Sequence, residues 1–171
     1  MALIIEDGTC VAGAQSYAAT TDLTNRMAGL TGAPVVVNTL TTQQMENLLL
    51  QAMEYLETEQ FQGGKTKPQT QALQWPRWGV VVREHYLLPN QIPAELIQAQ
   101  CALAIDALTL DLLPTTTPTG IRGEVIHEGV TGAVSVSYAQ LSMKRTLNRY
   151  SRYRNLIDLL TKNARVMAVR A

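Results

Sequence analysis

Rings cannot carry the core of this chain: aromatic residues make up 5% of the sequence, with one Phe and two Trp. Interior packing therefore falls to Leu, Val, Ile and Ala, and helices are the natural product of that choice. Cysteine is nearly absent. Cys10 and Cys101 lie far apart with no metal-like spacing, so both are expected as reduced thiols. His85 and His127 are equally isolated, whereas a structural zinc takes about four ligands held close together, so neither a metal nor any other cofactor is expected. An apolar run of about eighteen residues is also missing, which argues against a membrane-spanning helix. The opening MALIIEDG has an acidic pair where a signal peptide carries basic residues. The expectation is a protein made in the cytosol, with no membrane partner.

Catalytic chemistry finds as little support. Glu46, Glu54, Glu57 and Glu59 follow one another along one stretch as solvated charges, with no titratable partner placed to make a working pair. Gly63-Gly64-Lys65-Thr66 looks like the end of a phosphate-binding loop, but the motif needs a glycine where Glu59 stands and a strand where a helix is expected. No enzyme is expected.

What the sequence does have is length and pattern. Its 171 residues suit one domain with arms. The organising stretch is 92–113, IPAELIQAQCALAIDALTLDLL. Pro93 suits a first helical position and Glu95 the positive end of the helix dipole. Leu96, Ala99, Leu103, Ala107 and Leu110 make one apolar stripe, and Ile97, Cys101, Ala104, Leu108 and Leu112 make a second beside it. A helix apolar on two faces belongs at the centre, with Pro114 ending it. Thr41 and Gln44 form a capping box, followed by Met45, Leu48, Leu49, Ala52, Met53 and Leu56 as a second core helix to about Thr58. Ser16 to Met27 has helical potential, stopped by Gly29 or Gly32. Leu3–Ile5 reads as a short strand or packed arm, and 34–38 as a linker or brief strand.

In Gln69 to Val82, QTQALQWPRWGVVV, a helical turn is expected to end at Trp75, because the residue before a proline avoids the α region. Trp75 is placed to anchor the connection in the core, and Arg77 to bond free carbonyls or a neighbouring chain. Further on, Val125 and His127 alternate with Glu124 and Ile126, and Val134, Val136 and Tyr138 with Ser135 and Ser137. That pattern predicts a β-hairpin over about 121–138 with its turn at Glu128 to Gly132, on a stalk formed by TTTPTG at 115–120. A lone pair of strands is marginal in water and needs a partner.

A net charge of zero conceals an asymmetry. Residues 1–143 hold six basic and thirteen acidic side chains, a net of −7, and residues 144–171 hold eight basic against Asp158 alone, a net of +7. Tyr150, Tyr153, Leu156 and Leu160 recur at helical spacing in that last segment, beside Lys144, Arg145, Arg149, Arg152 and Arg154. Interleaved Arg and Tyr suit phosphate contacts and base stacking, and they also anchor protein interfaces. The organisation expected is thus a domain over 1–141 and a basic docking segment over 142–171. Because the two best helices lie between Thr41 and Leu113, the domain is expected to stay folded without that segment.

The order of FQGGK, ALQWPRWGV, the IPAELIQAQCALAIDAL helix, a Val-rich hairpin and a basic C-terminal segment, preceded by MALIIEDGT and SYAAT, resembles a tailed-bacteriophage family. Its members are often labelled DnaT-like single-stranded DNA-binding proteins and are similar in layout to head-tail connector, or adaptor, proteins. The resemblance runs to about Tyr138, sharpest at Trp75-Pro76-Arg77 and Ile92-Pro93, and contains no catalytic motif. It implies a mainly α fold, a small helical bundle around the central helix with a protruding hairpin and a basic C-terminal helix or arm. As a connector, the chain would be a virion protein at the capsid vertex. It would form a ring of twelve copies between the portal protein and a downstream neck or tail component, with double-stranded DNA passing through. Lys144, Arg145, Arg149, Tyr150, Arg152, Tyr153 and Arg154 would face the portal, a neighbouring subunit or DNA. The other reading is a DnaT-like single-stranded DNA-binding protein of phage replication.

Overall fold

The structure, a computed structural model, describes residues 3–29, 40–113, 125–130, 134–138 and 151–161. Segments 125–130 and 134–138 are described by their backbone pairing. Among these residues there are four helices, α1 (Thr20–Ala28), α2 (Thr42–Leu56), α3 (Ala94–Asp106) and α4 (Ser151–Ile157). There are also six short strands, β1 (Gly64–Lys65), β2 (Arg77–Trp78), β3 (Val81–Val82), β4 (His85–Tyr86), β5 (Val125–Val130) and β6 (Val134–Tyr138), paired as three two-stranded antiparallel sheets. The fold is therefore mixed and not the helical bundle expected. Between α2 and α3 the chain meets Gly63, Gly64, Pro68, Pro76, Gly79 and Pro89, which interrupt helical ladders and favour tight turns and brief pairings instead.

The chain divides into two compact units, Met1–Leu112 with Tyr150–Ala171, and Leu113–Arg149. In the first, α3 packs against α1, α2 and α4, as a helix with two apolar faces must. Leu96, Ala99, Cys101, Leu103 and Ala104 are buried, and burial pushes the Cys101 thiol up to about 12, which leaves it unreactive. Pro93 sits at the N-cap in extended conformation, one place earlier than expected. The helix stops at Asp106, short of Leu113. There Leu108 N–H reaches the Ile105 carbonyl at 3.2 Å and Thr109 N–H the Asp106 carbonyl at 3.1 Å, three-residue bonds that tighten the last turn in place of the α ladder.

The capping box at Thr41 and Gln44 is present in both directions, and α2 buries Leu49, Ala52, Met53 and Leu56. Helix α1 starts at Thr20, later than expected, ends at Gly29 and buries Leu23 and Met27. At the start of the chain, Ile5 bridges Ser16 in parallel, so the Leu3–Ile5 arm is tied down. At the centre, Gln100 has no exposed surface. Its Oε1 accepts from Tyr17 N–H (3.0 Å) and Ala18 N–H (2.9 Å), and its Nε2 donates to Ser16 Oγ (2.8 Å) and Leu49 O (3.0 Å). One amide thus joins α3 to the lead-in of α1 and to α2.

In the second unit, β5 and β6 pair from Val125↔Tyr138 to Val130↔Val134, with an irregularity between Val125 and His127. The strands run further than the pattern suggested: Glu128 and Gly129 pair with Val136 and Ser135 and are not part of the turn. The expectations for 34–38, for 115–120 and for the hairpin's first residues at 121–124 lie outside the described residues.

Candidate nucleic-acid interface

Of the C-terminal residues singled out by the sequence, Lys144, Arg145, Arg149 and Tyr150 lie outside the described residues. Arg152 is exposed. Tyr153 is wholly buried, set edge-on to Tyr55 with ring centroids 5.5 Å apart. Arg154 binds Glu59 at 2.8 Å and lies 5.6 Å from the centre of the Tyr153 ring. Burial is the largest influence and works against its charged form, but Glu59, Tyr153, Tyr55 and Asp158 together outweigh it and raise its pKa. Helix α4 therefore turns Tyr153 and Ile157 into the core, and only Arg152 of the three described candidates is open to a ligand.

The Trp75-Pro76-Arg77 stretch holds a loop in shape. Trp75 is fully buried, with a cis bond to Pro76, an edge-on contact to Phe61 and its backbone N–H donated to Tyr17 Oη at 2.9 Å. The Arg77 guanidinium donates to the carbonyls of Gln62 (2.6 Å), Gly63 (2.7 Å) and Gln74 (3.2 Å) and to Gln74 Oε1 (2.9 Å). Arg77 was expected to reach free helix-end carbonyls or a neighbouring chain; the carbonyls it collects, at Gln62, Gly63 and Gln74, belong to the loop after α2 instead. Ile92 is half-buried and Pro93 buried, both at the entry to α3.

Beside this anchored loop lies a surface that the sequence reading passed over. Trp78 is 61% exposed and Tyr86 80%, against 0% for Trp75. Strand β1 pairs with β2 at Gly64↔Trp78 and Lys65↔Arg77. The two glycines permit a close approach: a Cβ on Gly63, whose φ is +66°, would sit 2.1 Å from Trp78 O, and one on Gly64 would sit 2.8 Å from the indole Nε1. The indole rests on Gly64 and keeps most of its surface in solvent. Strands β3 and β4 then form a tight hairpin, Val81↔Tyr86 and Val82↔His85. Val82 packs toward the core, so Val81 and Tyr86, the neighbouring pair, face outward.

The hairpin tip is Arg83-Glu84, with φ of +48° and +70°. Two left-handed residues in succession make a turn of the I′ kind, which normally takes Asn-Gly because a Cβ is strained there. Replacing both, Arg83→Asn with Glu84→Gly, is expected to raise stability by about 1 kcal/mol, seen as a higher urea midpoint. An unchanged or lower midpoint would show that the tip carries no strain.

Charge gathers here as well. Lys65, Lys67, Arg77 and Arg83 supply four of the six basic residues of 1–143, and between Phe61 and Ala94 the one acidic residue is Glu84. The signal was present in the sequence, but the half-chain total of −7 averaged it away.

Below the loop, Glu57 accepts from Gln74 N–H at 3.0 Å. Burial raises its pKa above the ordinary 4.5, opposed by that bond and by Lys65 and Arg77. A carboxyl raised in the folded state favours folding when protonated, so its contribution is full below the ordinary value and is lost as pH rises through the folded one. Glu57→Gln keeps the accepting oxygen and removes the titration. The variant is expected to be more stable than wild type at pH 7, with the gain vanishing toward pH 4, by urea unfolding at both. A gain that grows on acidification would reverse the sign.

A family described as "Putative DnaT-like ssDNA binding protein" matches residues 1–171. No curated protein and no solved structure matches the chain. The whole-chain match overturns the connector reading, because the family it identifies is described by single-stranded DNA binding and not by a structural role in a neck. The partners that went with that reading fall with it: the portal protein, a downstream neck or tail component, a twelve-membered ring and duplex DNA in its channel. The single-stranded DNA-binding reading, held second on sequence, is the one the family supports.

Proposed function

Because the chain belongs to the DnaT-like ssDNA binding protein family, we propose that it binds single-stranded DNA and acts by binding, with no catalytic step. The observation that carries the reading is the family match along the full length of the chain. Composition supports it: the segment 144–171, at a net +7, supplies the sequence-independent attraction for phosphates that drives such binding, and each neutralised phosphate releases counterions. The described residues contain no group of three or more His, Cys, Asp or Glu able to hold a metal.

The test is fluorescence anisotropy of the full chain with matched single-stranded and duplex oligonucleotides across a salt series. The single strand is expected to bind more tightly than the duplex, because only its bases are free to stack, and both affinities are expected to fall as salt rises. Equal affinity for both forms, or no binding to the single strand, would overturn the proposal.

A further inference from the structure

We infer that the two exposed rings of the basic loop between α2 and α3, Trp78 and Tyr86, are where bases of a single strand stack; this rests on the single-stranded DNA reading above and assigns its site. Three independent features converge on it. Exposure comes first. Of the two tryptophans, one is sealed in the core and the other is 61% exposed, and Tyr86 at 80% is the most open of the large exposed apolar and aromatic side chains among the described residues. A ring that only filled space would be turned inward, as Trp75 and Tyr153 are, because exposing it forgoes the gain from burial.

Preorganisation comes second. The Trp78 indole is seated on Gly64, where any side chain would collide with it, and the adjoining loop is held by the Arg77 fork on the carbonyls of Gln62 and Gly63. Thr66 Oγ1 donates to Pro89 O at 2.9 Å, which ties this loop to the chain leaving the β3–β4 hairpin. Leu87 N–H bonds Val80 O at 3.0 Å and extends the hairpin that carries Tyr86. A platform fixed before binding loses little freedom when a base lands on it.

Charge is third. The stretch from Phe61 to Ala94 carries Lys65, Lys67, Arg77 and Arg83 against Glu84 alone, and Lys67 and Arg83 are exposed. That local excess of positive charge favours a phosphate chain. Stacking rings in a basic loop are the chemistry of a sequence-tolerant single-strand site, and the left-handed Arg83-Glu84 tip is strain of the kind kept where a side chain must be aimed.

The experiment compares the full chain with Tyr86→Ala, Trp78→Ala and Trp78→Phe in single-strand anisotropy titrations, with circular dichroism melts as the folding control. Loss of either ring is expected to weaken binding about tenfold or more, with Trp78→Phe intermediate. Tyr86→Ala, which removes an open side chain, keeps the test valid should Trp78→Ala lose its seat on Gly64. Oligonucleotide is also expected to quench tryptophan emission in wild type and not in Trp78→Ala, where buried Trp75 is the remaining fluorophore. Wild-type binding that survives both ring deletions, but is lost on changing Lys144, Arg145 and Arg149 to Gln, would overturn this assignment and leave the functional reading intact. Absence of wild-type binding would overturn both.

Discussion

A chain ending at Arg149 is expected not to fold. Tyr153, Ile157 and Leu160 have no exposed surface, and α4 packs along α3. Beyond the helix, Gln62 N–H bonds Leu160 O at 2.9 Å, Gln62 Nε2 reaches Leu159 O at 3.0 Å, and Phe61 bridges Thr161. Emptying one such core site costs about 2–5 kcal/mol, so losing three at once approaches the whole stability of a domain, about 5–15 kcal/mol. Circular dichroism should show no cooperative melt for the truncated chain, and Tyr153→Ala in the full chain should lower the urea midpoint by the equivalent of about 3 kcal/mol. A truncated chain that melted cooperatively near the wild-type temperature would refute this. This is the opposite of the expectation from the sequence alone, in which the helices between Thr41 and Leu113 were to keep the domain folded without residues 142–171.

Gln100→Ala is expected to be nearly as damaging, through polar groups left without partners. The substitution strands Tyr17 N–H and removes one bond each from Ala18 N–H, Ser16 Oγ and Leu49 O; Ala18 N–H and Ser16 Oγ retain each other at 3.1 Å, and Leu49 O keeps its place in the α2 ladder. An unsatisfied buried group costs about 1–3 kcal/mol, which places the total loss at about 3 kcal/mol or more once the cavity is added. Gln100→Leu fills the space but leaves the same groups bare, so it should recover little. Exposed Gln98 on the same helix is the control, and Gln98→Ala should stay within about 0.5 kcal/mol of wild type. Recovery of full stability in Gln100→Leu would show that the side chain mattered only for its volume.

Periodicity revealed the parts of this molecule that depend on neighbouring residues in the chain. Helix α2 announced itself through Thr41 and Gln44, and the two stripes of α3 placed it at the centre. Arg77 was also legible, because an Arg next to a Trp-Pro turn has carbonyls within reach. What stayed hidden depends on distant residues. The spacing of Tyr153, Leu156 and Leu160 marked an amphipathic helix, but periodicity does not say whether its apolar face covers its own core or another molecule. Gln100 sits in an apolar run where pattern alone treats it as a surface break, and only three converging segments make it an interior bond. The exposed rings of Trp78 and Tyr86 escaped for a different reason. Exposure of a ring is invisible in sequence, and the Arg83-Glu84 tip lacks the glycine by which a two-residue hairpin turn is usually recognised.

The first unit takes in both flanks of the second, since the chain leaves it at Leu112 and returns at Tyr150. What separates α3 from α4 is therefore a second unit, so the packing of these two helices closes a loop in the chain. The entropy of closing a loop grows only as the logarithm of its length, about 0.6 kcal/mol for each doubling. Doubling the number of residues between Leu112 and Tyr150 would therefore cost the α3–α4 packing less than emptying one core site does.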